Sequence, residues 1–149
     1  MNKMEIRKVD SLDSKVLGLI RRTFLRFEAP DYTEEGINTF FAFIDNFEQM
    51  KQLNMFGAFF MGELVGVIGV KQDFSHICLF FVEENFQRQG VGRKLWEHIL
   101  SCSHASTITV NSSPYAVDVY HHLGFYDLNT EQLTDGIRYT PMRFKIKMG

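Results

Sequence analysis

The segment with the clearest chemical capacity is residues 87–93, Gln-Arg-Gln-Gly-Val-Gly-Arg. An apolar run at residues 77–82 precedes it, and a helical pattern with apolar residues at Val91, Leu95 and Ile99 follows. The order is therefore strand, glycine turn and helix. The first turn of a helix has backbone N–H groups without helical partners at the positive end of the dipole, and glycine lets a ligand approach them closely. This arrangement predicts a cradle for a phosphate or pyrophosphate.

Two common phosphate loops do not fit these residues. A P-loop has four residues between its first glycine and Gly-Lys-Ser/Thr, whereas residues 90–94 lack that spacing and the hydroxyl that would hold magnesium. A Rossmann fingerprint has a third glycine three residues after the second, and Leu95 stands there. A purely structural strand-to-helix turn and nucleotide binding of another kind stay open at this point.

A second informative segment follows the helix. Residues 107–111 read as a short β-branched strand. Ser113 is placed to cap the next helix, with Pro114 at its first position. Gly124 is expected to end that helix in a left-handed conformation, and Tyr120 stands four residues before it.

Together these segments resemble the GNAT superfamily of N-acetyltransferases. The first matches Gln/Arg-x-x-Gly-x-Gly/Ala, and the second places a tyrosine four residues before Gly124-Phe125. The resemblance extends from Met55 to about Phe144 and covers the first fifty residues only in outline. It implies a single α/β (α+β) domain over residues 1–149. Its central sheet would be mixed but mostly antiparallel, with one splayed parallel strand pair and helices on its flanks. Periodicity alone gives only one α+β or α/β domain.

The cofactor implied by the resemblance is acetyl-CoA, with no metal. Its pyrophosphate would lie on the N–H groups of the glycine turn, and its pantetheine arm would pair with free backbone of the preceding strand, between the two splayed strands. Asn111, at the end of the second strand, would hydrogen-bond the cofactor or hold a water. The expected cofactor-binding residues are Phe80, Phe81, Val82, Gln87, Arg88, Gln89, Gly90, Val91, Gly92, Arg93 and Asn111.

Tyr120 is the expected general acid. A phenol near the thioester can protonate the departing thiolate. Helix-end geometry alone gives another explanation, since a residue at this position is expected to pack against Phe125 just beyond the glycine cap. The two roles are compatible if the ring packs and the hydroxyl faces the thioester.

The sequence leaves the general base open. The apolar strand at residues 77–82 contains no carboxylate. Glu83, Glu84, Asp73 and His76 flank it, and each is more simply explained as a solvated residue. A water chain ending at Asn111, a backbone carbonyl and His76 remain as options.

The amine acceptor is expected to contact Glu28, Asp31 and Tyr32. Residues 26–35 combine acidic and aromatic side chains, which attract a cation through charge and ring-face contacts. The alternative is that this segment is a solvated turn whose acidic residues, with Thr33, cap the next helix.

Composition narrows the class of protein. The chain has 149 residues, is 45% apolar and has a formal net charge of −2, which favours one globular domain and argues against nucleic acid as the main partner. No apolar run is long enough to span a bilayer, the N-terminus has no apolar signal core, and the two cysteines lack metal or disulfide spacing. A cytoplasmic location without membrane partners is expected, and the superfamily resemblance adds a homodimer formed through the last strands.

The function implied is transfer of an acetyl group from acetyl-CoA directly to a primary amine of a small molecule or peptide. The absence of a strand carboxylate favours, as the alternative, a non-catalytic module that binds or senses acyl-CoA.

The elements that must position these residues follow from periodicity and turn chemistry. The central strand at residues 76–82 is expected to be buried on both faces, and Pro141 to mark a bulge or edge in the last strand. The other predicted elements are a strand at 4–9, a helix to about Phe27, a break at 28–32, a helix from Thr33 to about Asp45, a hairpin of 55–61 and 64–71 turning at Gly62-Glu63, a helix from Val91, a helix at 115–123, a polar loop at 130–136 and a strand at 137–147.

Overall fold

An eight-stranded sheet forms the centre of the computed structural model, which describes residues 4–146. The helices are α1 (Ser14–Thr23), α2 (Glu34–Ile44), α3 (Phe47–Met50), α4 (Val91–Cys102) and α5 (Val117–Leu123). The strands are β1 (Met4–Val9), β2 (Asn54–Phe60), β3 (Glu63–Val70), β4 (His76–Val82), β5 (Thr107–Ser112), β6 (Tyr126–Asp127), β7 (Gln132–Thr134) and β8 (Ile137–Lys145). The predicted strand end at residue 147 lies outside the described residues.

The sheet is mixed, as expected. Its strand order is β1-β2-β3-β4-β5-β8-β6, and β7 also pairs with β8. Within the described residues, β4 and β5 are the parallel neighbours, and the other paired strands are antiparallel. The predicted fold class, mostly antiparallel with one parallel pair and flanking helices, is confirmed.

The parallel pair opens into a fork after two residues. β4 and β5 pair only at His76 with Thr109 and at Ile77 with Val110, although β4 continues to Val82. On its other side β4 pairs with β3, and the register of this pair shifts by one residue. Val70 pairs with Ile77 and Gly69 pairs with Leu79, so Cys78 is the extra residue of a β-bulge. Such a bulge bends a strand and increases its twist. The bend begins where the two strands separate.

The bulge also changes which side of the sheet the β4 side chains face. Ile77 packs with α4, whereas Leu79, two residues later, packs with α1 in the opposite core. Without the extra residue, both would face the same side. Cys78, Phe80 and Val82 are only half-buried. The strand is central and has a core on each face, as expected, but burial is incomplete because these three side chains border open space at the fork.

The segment after α1 is irregular. Asp13 caps α1 by accepting hydrogen bonds from the N–H groups of Lys15 (2.8 Å) and Val16 (3.3 Å). The helix continues as a π-helical turn, Phe24–Glu28, and then as a 3₁₀ turn, Ala29–Asp31. A π-turn inserts one residue into the helical repeat and often occurs at functional sites. The helix predicted to about Phe27 is confirmed in outline, but its last turn has a different geometry.

Several turn predictions need correction. The β2–β3 hairpin turns at Met61-Gly62, not Gly62-Glu63, because both central residues have positive φ (50° and 84°), as a type I′ turn requires. Ser113 makes no capping bond, and a 3₁₀ turn, Pro114–Ala116, precedes α5. The predicted loop at 130–136 contains the short strand β7.

Pro141 is neither at a bulge nor on an edge strand. It lies opposite Asn111 in a ladder that shows no register shift there, and β8 has neighbours on both sides. Its carbonyl accepts a hydrogen bond from the N–H of Leu128 (2.8 Å), between the residues that pair with β6 and those that pair with β7. The Pro141 nitrogen lies on this same side of β8, away from β5, so the ladder with β5 loses no hydrogen bond.

Candidate functional site

Two adjoining cavities occupy the fork. The larger, of about 310 Å³, lies between the end of β4, the start of α4 and α5. The smaller, of about 110 Å³, reaches between β4 and β5 towards α2. The residues that line both cavities are Glu28, Phe80, Phe81, Ala116 and Tyr120.

The start of α4 faces the larger cavity with unsatisfied backbone donors. Gly90, the residue before the helix, has φ +84°, and Arg88 has φ +62°. The N–H of Lys94 bonds to the carbonyl of Gly90 (3.0 Å), so the three N–H groups of residues 91–93 precede the first α-helical donor. This is the arrangement that binds anions at helix starts.

Gly90 and Gly92 are glycines for different reasons. Gly90 adopts a backbone conformation that side chains disfavour, although a Cβ there would meet nothing within 4 Å. Gly92 has ordinary helical geometry, and a Cβ would lie 3.5 Å from the Phe80 ring, a normal contact. Packing does not require a glycine at position 92. The missing side chain keeps part of the larger cavity open beside the free N–H groups.

The polar side chains of the predicted cofactor segment take different positions. Gln87 and Arg88 line the larger cavity. Gln87 donates to the carbonyl of Val82 (3.0 Å) and accepts from the Tyr115 hydroxyl (2.7 Å), which ties the end of β4 to the turn before α5. Gln89 turns back to the carbonyl of Asn85 (2.9 Å).

Arg93 reaches away from this group to the carbonyl of His122 in α5 (3.3 Å). Arg88 is therefore the cation of the segment that lines the larger cavity.

The backbone beyond Ile77 is also available. From Cys78 to Val82, β4 has no partner in β5, so one edge of its peptide groups faces the fork. Phe80, Phe81 and Val82 line the larger cavity there. Asn111 lines the smaller cavity from β5. An extended ligand with amide groups can satisfy such an edge as an added strand does.

Tyr120 both packs and lines the cavities. Gly124 has φ +106°, and the N–H of Phe125 bonds to the carbonyl of Tyr120 (3.0 Å). The Tyr120 ring meets Phe125 at a centroid distance of 5.2 Å and Phe80 at 6.0 Å. The predicted packing contact is confirmed. Burial, with a smaller effect of the Glu28 carboxyl, raises the pKa of Tyr120 above its ordinary value, so the phenol keeps its proton.

Glu28 is the carboxyl that the π-turn brings into the fork. It lines both cavities, and burial raises its pKa to about 7. The nearby Ser113 hydroxyl is buried and makes no hydrogen bond of standard geometry, and it lowers the pKa of Glu28. The Asp31 carboxyl raises this pKa further. A carboxyl with a pKa near neutrality can gain and release a proton under ordinary conditions.

The other two predicted acceptor contacts lie beside Glu28. Tyr32 lines the smaller cavity, and its pKa is raised by burial and by the carboxyls of Glu28 and Asp31. Asp31 lines neither cavity, and its carbonyl accepts a hydrogen bond from Arg138 (3.2 Å). The sequence predicted Glu28 as an acceptor contact, but it did not predict that Glu28 faces the fork, because a π-turn has no sequence signature that would aim this side chain at β4.

The base candidates near β4 are occupied elsewhere. Glu83 forms an ion pair with Arg22, and Glu84 forms one with Arg26 (3.3 Å). His76 Nδ1 lies 2.7 Å from the hydroxyl of Thr109 at the closed end of the fork. Asp73 accepts hydrogen bonds from Ser75 in its turn. These four do not line either cavity in the described structure.

No helix within residues 4–146 is long and apolar enough to cross a bilayer. Over the same residues, no group of three or more histidine, cysteine or acidic side chains is arranged to hold a metal.

The comparison with protein families decides the assignment. A family model described as an acetyltransferase (GNAT) domain matches residues 28–146. This range includes every residue that lines the smaller cavity and all but Thr23 and Phe27 of those that line the larger one. The chain belongs to the GNAT acetyltransferase family. A comparison with curated proteins gives no significant match.

Solved structures agree with the GNAT fold. A GCN5-related N-acetyltransferase from Rhodopseudomonas palustris superposes with a TM-score of 0.80 at 18% identity, covering 98% of each chain. The PaiA N-acetyltransferase from Thermoplasma acidophilum, solved with coenzyme A, has a TM-score of 0.69 at 19% identity, covering 96% of this chain and 99% of its own. A GNAT acetyltransferase from Elizabethkingia anophelis with bound acetyl-CoA has a TM-score of 0.62 at 16% identity, covering 98% and 100%. At these identities the likeness describes the fold.

Proposed function

We propose that this GNAT protein is an acetyl-CoA-dependent N-acetyltransferase that acts directly on a primary amine of a small molecule or peptide. One observation carries the proposal. The fork between β4 and β5 connects unpaired N–H groups at a helix start with a buried phenol and a carboxyl of pKa about 7. Transfer of an acetyl group from a thioester cofactor that carries phosphates to an amine requires these groups: donors that hold the phosphates, an acid for the leaving thiolate and a base for the ammonium.

The residues present fit the acyl donor. The N–H groups of residues 91–93 would hold the pyrophosphate, with Arg88 adding charge and Gly92 leaving room. The free backbone from Phe80 to Val82 would pair with the amides of the pantetheine arm. Acetyl-CoA supplies the acetyl group as a thioester, whose C–S bond breaks as the N–C bond forms.

Glu28 and Tyr120 would move the protons. The Glu28 carboxylate takes one proton from the entering ammonium, which frees the nitrogen lone pair for attack. The Tyr120 Oη then gives its proton to the departing sulfur, and the second proton lost by the nitrogen restores the phenol. A raised pKa keeps the Tyr120 proton in place until this step.

The test follows thiol release from acetyl-CoA across classes of amine, with calorimetric binding of coenzyme A measured in parallel. We expect amine-dependent thiol release that is roughly 100-fold slower in Tyr120→Phe. Tight binding of acetyl-CoA without thiol release for any amine would identify a binding or sensing module. Stronger binding of ATP than of coenzyme A would reject the cofactor assignment.

A further inference from the structure

We infer that Ser113 is the positioning residue for Glu28: its hydroxyl holds the Glu28 carboxylate in the fork, in the orientation that receives the ammonium proton. This inference rests on the proposed function and adds a further side chain to the proton transfer. It follows from a buried hydroxyl that has no other role, from the fixed backbone on both sides of the contact, and from the groups around the carboxyl.

The Ser113 hydroxyl has no ordinary structural role. Ser113 is 7% exposed, and its Oγ is one of two buried side-chain polar atoms without a standard hydrogen-bond partner in the described residues. Ser113 stands directly before Pro114, where a helix cap is expected, yet it makes no capping bond. A buried hydroxyl that stays unpaired costs stability, so a serine at this place calls for a partner in the working state of the protein.

The Glu28 carboxyl is the partner within reach. Both residues line the smaller cavity, and the Ser113 hydroxyl lies near enough to lower the pKa of Glu28. A hydroxyl that donates to a carboxylate favours the ionised form. Hydrogen bonds of catalytic groups are often long or poorly aligned in the free enzyme and tighten in the complex with substrate. We therefore expect the bond from Ser113 to Glu28 to reach standard geometry when the carboxylate is in use.

The backbone around Ser113 is fixed. Its φ of −62° and ψ of 157° are extended, as the proline that follows requires. The Ser112 hydroxyl donates to the Ser113 carbonyl (2.8 Å), which holds the peptide group between Ser113 and Pro114. The direction of the Ser113 side chain is thus set by its neighbours in the chain.

An aromatic contact holds the two segments side by side. The Phe27 and Tyr115 rings stack with centroids 5.0 Å apart and an interplanar angle of 26°. Phe27 directly precedes Glu28, and Tyr115 lies two residues after Ser113. The Tyr115 hydroxyl also donates to Gln87 (2.7 Å), which fixes the 3₁₀ turn against the end of β4. A proton-transfer group works only when held in a narrow geometry, and this contact limits the movement of Glu28 relative to Ser113.

The groups around Glu28 leave Ser113 as the one that favours its charged form. Burial raises the pKa of Glu28, the Ser113 hydroxyl lowers it, and the Asp31 carboxyl raises it. Within the described residues, the other titratable side chains that line the two cavities are Tyr32, Cys78, Arg88, Tyr115, Asp118 and Tyr120. A carboxylate has about four acceptor sites, so a bond from Ser113 leaves room for the ammonium.

The first measurement titrates Glu28 and needs no substrate. NMR follows the Glu28 carboxyl carbon across about pH 4–10, which brackets a raised carboxyl pKa, and Glu28→Gln assigns the signal by its loss. In Ser113→Ala we expect the titration midpoint to rise by roughly one pH unit or more, because a hydrogen bond to a charged group is lost. An unchanged midpoint would overturn the inference.

Two further variants separate the hydroxyl from local packing. Ser113→Thr keeps a hydroxyl and should have a midpoint close to that of wild type, whereas a midpoint equal to that of Ser113→Ala would contradict a role for the hydroxyl. Ser112→Ala is the matched control, since Ser112 is also buried, donates to a backbone carbonyl and lines neither cavity. Equal shifts in Ser112→Ala and Ser113→Ala would also count against the inference.

The second measurement is thiol release from acetyl-CoA with the best amine of the proposed screen. If the midpoint rises from about pH 7 by one unit, the ionised fraction of Glu28 at pH 7 falls from roughly one half to one tenth. The kcat/KM of Ser113→Ala should therefore be about fivefold below wild type at pH 7 and approach wild type near pH 9. A loss of equal size at both pH values would indicate a structural defect and contradict the positioning role.

The two proposals fail in different ways. A Glu28 midpoint that rises in Ser113→Ala, without thiol release for any amine, would keep the contact between Ser113 and Glu28 and remove the transferase function. Thiol release with the same pH profile in wild type and Ser113→Ala would keep the transferase and remove Ser113 from the proton transfer.

Discussion

Gly92→Ala is expected to leave the fold intact and to weaken coenzyme A binding without abolishing it, since the GNAT pattern accepts alanine at this position. Gly92 is the second residue of α4, its backbone is helical, and the added Cβ would lie 3.5 Å from the Phe80 ring at van der Waals distance. Alanine is favoured over glycine in helices by up to about 1 kcal/mol, so the free energy of unfolding should stay the same or rise. The same methyl group would occupy space beside the free N–H groups of residues 91–93.

The expected loss of affinity follows from the hydrogen bonds displaced. If the methyl group moves the pyrophosphate away from one N–H, the complex loses one hydrogen bond to a charged group. Such a bond contributes about 1.5–3 kcal/mol, which raises the Kd by roughly 10- to 150-fold. Gly92→Glu adds bulk and negative charge and should abolish detectable binding.

Calorimetry with coenzyme A and chemical denaturation are measured on the same preparations. Gly18→Ala in α1 is the matched control, because its added Cβ would also have a nearest neighbour at 3.5 Å, the guanidinium of Arg22, and Gly18 lines neither cavity. Gly90→Ala is a poorer choice, since its positive φ strains any side chain. The GNAT pattern accepts alanine at position 92, so the decisive variant is Gly92→Glu, and wild-type affinity for coenzyme A in a folded Gly92→Glu protein would refute the cradle.

Three further predictions address other parts of the site. Tyr120→Phe keeps the ring contacts and should lower kcat by roughly 100-fold with little change in coenzyme A affinity or stability, as expected for loss of a general acid; an unchanged kcat would leave only the packing role. The pKa of Glu28 rises from 4.5 to about 7 on folding, so the folded state holds this proton more tightly and the Glu28 contribution to stability falls as pH rises from about 4.5 to 7. Between pH 4 and pH 8, the free energy of unfolding of Glu28→Gln should therefore rise relative to that of wild type by up to about 3 kcal/mol. A difference between the two unfolding free energies that does not change with pH would contradict the raised pKa of Glu28. Gly36→Ala places a Cβ 2.2 Å from the carbonyl oxygen of Gly136, so it should lower the free energy of unfolding by at least ~2 kcal/mol and weaken amine binding. A variant as stable as wild type would show that α2 can move.

The sequence predicted the parts of the site that local patterns determine. Glycine turns, apolar runs and helix caps placed the free helix start at residues 91–93 and the left-handed Gly124 after Tyr120. These features depend on neighbouring residues, so they can be read from spacing. The fork itself came from the family resemblance, because strand pairing is a long-range property.

The remaining features depend on small irregularities. Cys78 becomes a bulge only in register with β3, and no residue in the apolar run marks it. The π-turn that aims Glu28 into the fork adds one residue to a helical repeat that otherwise continues from α1. The hairpin turn was placed one residue too late, because Gly62 suits either the first or the second central position of a tight turn.

The most direct test is a crystal structure of the protein with coenzyme A. The account predicts the diphosphate within hydrogen-bond distance of the N–H groups of residues 91–93, and the pantetheine arm between β4 and β5 beyond Ile77. Coenzyme A bound at another surface, or β4 and β5 paired along their full length in the complex, would contradict it.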